Sequence, residues 1–403
     1  MTSLSRTDLL ESVRQLFTPA ADPAARSLGA ELEMIPVSTK TGKRILARGP
    51  SPSGSELVAA MGREYGWSEE PGGNDPACWT FADGRVTFEP GGQIEFSSAV
   101  FPSAELLIQS LDKWLSRFSA CAADLGILLK TVGIEDHVSI DEVPLQLNRG
   151  RYRMMTRYFE SLGPFGVLMM RQTASLQINV DRGEAPLDRW RLLNALAPYL
   201  VAIFANSSRY EGRETGHQSY RAHAWRNLDP RRTGIAYEGG REAEHYLEFA
   251  LDAPVILGGV GGFPPFRGKL AEGGITLDDW ESHLSTLFPE VRPRDYFEIR
   301  SIDAVEPRHV SAAIAFIAGL VYDKDSAEAA VAELGEPSSE LLVTAGVRGL
   351  KDERLRVTSE RLSQLSLEGC QTLGPAYISS ETLSRAVEFF ESHTLKGRSP
   401  ADS

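Results

Sequence analysis

Leu28-Gly29-Ala30-Glu31-Leu32-Glu33-Met34 alternates apolar and polar residues. Side chains two apart on a strand share a face, so Leu28, Ala30, Leu32 and Met34 point one way and Glu31 and Glu33 the other. The same design recurs downstream. Gln93 and Glu95 oppose Ile94 and Phe96; Gln177, Asn179 and Asp181 oppose Leu176, Ile178 and Val180; Glu298 and Arg300 oppose Phe297 and Ile299. Solvent exposure accounts for any one of these polar faces. It accounts poorly for four together, because glutamates dominate and none of the four segments contains lysine. Glu89 precedes Pro90-Gly91-Gly92, a break in strand parity that leaves Glu89 free to join the set. Clustered carboxylates repel one another and need cations. Hard divalent ions with oxygen ligands, Mg²⁺ or Mn²⁺, are the natural partners.

In all, strands are predicted near 27–36, 79–89, 93–98, 127–133, 174–181 and 294–301, with Asp83-Gly84 as a hairpin turn signal. Helical periodicity marks 7–17, 102–125, 188–205, 241–251, 277–287, 306–322 and 380–395, and the last hundred residues read as nearly all helical. Segments 39–54, 68–77 and 256–275 read as loops, the last with the run Gly258, Gly259, Gly261 and Gly262. Strands and helices mix without a βαβ rhythm. The expectation is an α+β fold with a largely antiparallel sheet, one domain over 1–396 and a frayed tail over 397–403.

The chain has 403 residues, enough for a sizeable core. Its formal charge of −13 argues against nucleic acid or an anionic membrane as the main partner. No apolar run reaches the about 18 residues of a spanning helix, and the N-terminal segment lacks an apolar signal core. Cys78, Cys121 and Cys370 are sparse and unpaired in sequence. The reading is a cytoplasmic protein that does not use cysteine as nucleophile.

No GxGxxG or Walker A pattern fits around Gly258 to Lys269, and HExxH and Gly-x-Ser-x-Gly are absent. Arginines stand out instead. Arg151 lies in a basic segment of an acidic protein, and Arg221 sits beside Tyr220 and Trp225. Arginine suits bidentate capture of carboxylate or phosphate. Metal-binding carboxylates together with anion-binding arginines suggest phosphoryl transfer. A metal-dependent hydrolase without ATP, or a silent metal-binding relative, stays open from the residues alone.

Several motifs add a resemblance. GAELEM (29–34), FEPGGQIEFSS (88–98), RGRY (149–152), MMRQTASLQINVD (169–181), FANSSRYEG (204–212), SYRAHAW (219–225), RRTG (231–234), TLDDWESHLSTLFPEVR (276–292) and YFEIRSID (296–303) occur in this order. The chain resembles the plant-type glutamate–cysteine ligase family from about residue 25 to 325. That resemblance implies a glutamine-synthetase-like fold, with metals on the polar face of the sheet and flanking helices. It implies ATP-dependent joining of L-glutamate to L-cysteine through a γ-glutamyl phosphate, or of a related acid to a different amine. By motif match, Glu31, Glu33, Glu89, Glu95 and Glu298 hold divalent metal, and Gln177 and Asn179 support metal or nucleotide. Arg300 contacts the transferred phosphate, and Arg300 and Glu298 are the catalytic pair. Arg151, Arg221 and Tyr220 bind the acid substrate. Departures from the family pattern fall at Ile256, Pro307 and His309, with Arg308 as a substitute for a family arginine.

Overall fold

The computed structural model describes residues 3–257 and 262–402. Gly258, Gly259 and Gly261 lie outside the described residues. The centre is a nine-stranded sheet. Its strands are β1 (Leu28–Ser38), β2 (Ser68–Glu70), β3 (Cys78–Phe81), β4 (Gly84–Phe88), β5 (Ile94–Ser98), β6 (Ile127–Lys130), β7 (Ser175–Asp181), β8 (Val291–Pro293) and β9 (Tyr296–Asp303). The order is β8-β9-β7-β1-β5-β4-β3-β2, with β6 also paired to β1. Every pairing in it is antiparallel, and helices flank it, as the α+β expectation has it.

The alternation read in the sequence sets the two faces. Leu28, Ala30, Leu32, Ile94, Phe96, Leu176, Ile178, Val180, Phe297 and Ile299 are all buried. They pack toward α1 (Ala104–Asp124) and α4 (Pro186–Ile203), which cover one side of the sheet. Behind them lies α6 (Pro307–Tyr322), buried at every position from His309 to Tyr322. A helix that is apolar all round belongs at the centre of a layer. It is enclosed by the C-terminal helices α7 (Glu353–Leu373) and α8 (Ser380–Ser392).

The opposite face of the sheet is roofed by α2 (Gly150–Glu160), α3 (Pro164–Gln172) and α5 (Tyr220–Leu228). The sequence reading missed all three. They are short, and the faces they bury carry arginine or an unbroken apolar run in place of a 3.6-residue stripe. Their caps were the available signal. Pro164 begins α3 just after Gly163, and Ser219 caps α5 by accepting from the Ala222 N–H at 3.0 Å.

Two loop expectations also change. Ser68–Glu70 is an edge strand and Phe266–Glu272 a short helix. In the β3–β4 hairpin Phe81 pairs with Gly84, so the turn is Ala82-Asp83, one residue earlier than expected. The tail expected to fray is docked. Ser399 and Pro400 are buried, Ala401 donates its N–H to the Ala205 carbonyl at 2.9 Å, and Lys351 pairs with Asp402 at 2.8 Å. A short polar tail stays ordered when its backbone finds partners.

Candidate active site

Register places the acids. Across β1 and β5, Glu33 lies opposite Glu95 and Glu31 opposite Ser97. Across β1 and β7, Glu31 lies opposite Gln177. Thr87 of β4 faces Glu95 and donates to it at 3.0 Å. Glu89, two residues past Thr87, keeps that face as the chain enters the Pro90-Gly91-Gly92 turn. One carboxylate oxygen each from Glu33, Glu89 and Glu95 lies within 4.8 Å of the others. Like charges directly opposite on a sheet are destabilising, so this grouping implies a counter-ion.

The protonation balance reflects that repulsion. Burial, then the neighbouring Glu95 and Glu298, raises Glu31 to about 7. Burial and nearby glutamates also raise Glu33, Glu89 and Glu95, Glu89 well above the usual carboxylate range. Closely grouped oxygen donors whose charges are poorly compensated fit a hard divalent cation.

Arginines line the same space. Arg221 of α5 is buried, donates to the Arg300 carbonyl at 2.8 Å and lies 3.6 Å from Asp303. Its guanidinium lies over the ring of Trp225, one helical turn on, at 5.0 Å. Arg151 of α2 donates to Ser285 Oγ at 2.6 Å and to the Ser285 carbonyl at 2.8 Å. Arg300 of β9 donates to Gln177 Oε1 at 2.7 Å. These groups and the acids line one cavity of about 340 Å³, together with Arg292, Arg294, Trp225, Phe288 and methionines 155, 169 and 170.

A model of glutamate–cysteine ligase family 2 matches residues 27–379. The chain belongs to that family. Similar proteins include chloroplastic glutamate–cysteine ligase B of Oryza sativa subsp. japonica, 29% identical over 79% of this chain and 69% of that one. The chloroplastic enzyme of Arabidopsis thaliana is 30% identical over 79% of this chain and 66% of its own length. Among solved structures, a glutamate–cysteine ligase of Francisella tularensis in complex with AMP aligns with TM-score 0.53 and 11% identity, covering 94% of this chain and 83% of that one. At that identity the likeness concerns the fold.

Within this family-2 ligase, most of the anticipated residues converge. Glu31, Glu33, Glu89, Glu95, Gln177, Arg151, Arg221 and Arg300 all line the cavity. Glu298 shares their face but is engaged otherwise. It pairs with Arg292 at 2.6 Å, with Arg294 at 3.0 Å and with Arg300. Burial works to raise its pKa, but Arg292, Arg300 and Arg294 together prevail and hold it at about 2. Asn179 does not line the cavity; its amide lies 3.4 Å from Glu31 Oε1. Asp181, on the same strand face, instead ties the strand end to Ser27 N, Arg189 and the Tyr322 hydroxyl.

Tyr220 is placed elsewhere. Neighbouring residues on a helix diverge by about 100°, so Arg221 enters the cavity while Tyr220 stacks on Tyr210 and His223. Arg308 is 72% exposed and paired with Glu306, so it does not stand in at the cavity. Pro307 and His309 also lie outside the lining, and His309 packs on Phe389. Buried Ile256 joins an apolar cluster with Met155, Tyr158 and Met169 behind the cavity wall. The reading missed Arg292 and Arg294. Their signal was strand parity in the β8–β9 hairpin, where Arg292 lies opposite Glu298.

Proposed function

We propose that this chain joins L-glutamate to L-cysteine with ATP, forming γ-glutamylcysteine, the first step of a glutathione-type thiol synthesis. The observation that carries the reading is one cavity lined by both a carboxylate cluster and arginines. Family membership supports it.

A free carboxylate is a poor electrophile. Transfer of the ATP γ-phosphoryl group to the glutamate side chain makes an acyl phosphate, and attack by the cysteine amine releases phosphate. Glu33, Glu89 and Glu95, with Glu31 beside them, would hold Mg²⁺ or Mn²⁺, which neutralises phosphate charge. Arg300 supports the transferring group, oriented by Glu298 and Gln177. Arg221 and Arg151 grip the acid substrate's carboxylate. Guanidiniums fixed by their own hydrogen bonds meet an anion without reorganising. The apolar methionine, Trp225 and Phe288 surfaces limit water around an intermediate that water would hydrolyse.

We further read the chain as one catalytic unit. No helix among the described residues is long and apolar enough to cross a membrane. Sparse cysteines and acidic charge suit a reducing, cytoplasmic setting. The test is phosphate release by purified protein with Mg²⁺-ATP, varying acid and amine, with the product identified by mass. Turnover that needs both glutamate and cysteine and yields γ-glutamylcysteine is the expected result. Turnover with a different amine, or without glutamate, overturns the substrate assignment.

A further inference from the structure

Next to the turn that follows Glu89 lies a charged pair that does not line the cavity. Arg44 Nη1 donates to Glu135 Oε2 at 3.0 Å, and the two side chains are 3% and 0% exposed. The pair is incompletely satisfied, since Arg44 Nε and Glu135 Oε1 have no hydrogen-bond partner among the described residues. Burying two charges costs enough solvation that such a pair contributes little net stability. Burial disfavours the Arg44 cation, and Glu135 offsets this only in part. Its placement suggests a different use.

The second prong of the guanidinium, Nη2, donates to the Gly91 carbonyl at 3.0 Å. Gly91 is the middle of the five-residue connection from Glu89 to Gln93, closed by the Glu89 N–H donating to the Gln93 carbonyl at 2.9 Å. Gln146 grips the same turn. Its side-chain amide donates to Gly91 O and its backbone N–H to Pro90 O, while its own Oε1 accepts from Ala47 N. On the far side, a side chain at position 91 would run into the Arg171 carbonyl, 1.9 Å from its Cβ. The turn is therefore held from two directions, and Glu89 leaves it directly into the cluster with Glu33 and Glu95.

We infer that Arg44, locked by Glu135, is a positioning residue that fixes the Pro90-Gly91-Gly92 turn and so aims Glu89 at the divalent cation. The inference rests on the cluster being a cation site. A lysine would keep the charge but lose the two-pronged fork. Partners that orient a ligand from behind typically change metal affinity about 10- to 100-fold when removed.

The experiment is a Mn²⁺ titration followed by electron paramagnetic resonance, on wild type and on Arg44→Met/Glu135→Leu. The double variant removes both buried charges, so no lone charge is left inside, and circular dichroism checks its fold. Arg44→Lys, titrated in parallel, provides the same comparison should the double variant not fold. The expected result is Mn²⁺ binding weakened at least about tenfold in a folded variant, with the melting temperature in EDTA held or raised. Folded variants that bind Mn²⁺ within twofold of wild type overturn the positioning role and leave the cation site standing. Wild type that binds no Mn²⁺ overturns the cation site, and the positioning role with it.

Discussion

Glu33 of β1 lies directly opposite Glu95 of β5, two carboxylates facing each other across an antiparallel ladder with Glu89 beside them. This pair works against folding unless something positive lies between its members. Mn²⁺ or Mg²⁺ should therefore raise the melting temperature of wild type, because a ligand that binds only the folded state stabilises it by mass action. Glu95→Gln should remove most of that rise while leaving the melting temperature in EDTA unchanged or higher. A variant that keeps the full cation-dependent rise would exclude Glu95 as a ligand.

Glu31 makes the cluster sensitive to pH. Its folded-state pKa, about 7, lies above the ordinary carboxylate value of 4.5, so the folded state binds the extra proton. Its contribution to stability is present below about pH 4.5 and is lost as pH rises through 7. In EDTA, wild type should lose stability between pH 5 and 8 more steeply than Glu31→Gln. Equal slopes in urea titrations across that window would refute the assignment.

Glu298 has the opposite sign. Its carboxylate is held at about 2 by three arginines, so its contribution is present above about pH 4.5 and fades as pH falls toward 2. Glu298→Ala leaves the half-buried Arg292 and Arg300 without their shared, buried anion. Removing one partner of a buried pair costs about 3–5 kcal/mol, and urea unfolding at pH 7 should show a loss of that order. A loss below about 1 kcal/mol would mean that the arginines find other partners.

Arg221→Ala should act on the acid substrate. Its guanidinium is fixed by the Arg300 carbonyl, Asp303 and Trp225, so little ordering is needed when a carboxylate arrives. Loss of a charge-assisted contact of about 2–3 kcal/mol corresponds to roughly 30- to 150-fold in the KM for glutamate. The KM for ATP should change by less than about threefold. The control is Arg308→Ala, which should leave both constants unchanged because Arg308 is exposed, pairs with Glu306 at the surface and does not line the cavity. Similar losses of affinity for acid and nucleotide would remove the specific role of Arg221.

Much of this was legible from the chain alone. Alternation of period two in 28–34, 93–96, 176–181 and 296–300 sorts each strand into an apolar and a polar face, because the pleat leaves no other choice. That established the half-buried antiparallel strands, the acidic face and its demand for cations. The motifs then carried the family.

Which members of that face meet was decided by register and by helix direction, which depend on contacts distant in sequence. Glu33 meets Glu95 because β1 and β5 pair in one register; a slip of one residue would have sent one of them to the core. Glu298 shares the face of the cluster but is neutralised by arginines, because Arg292, from the neighbouring β8, lies opposite it. Arg221 reaches the cavity and Tyr220 does not because α5 starts at one rotation over the sheet. Local sequence fixes which residues share a face of an element. Where that face sits, and which charges neutralise one another across it, is settled only when the elements pack.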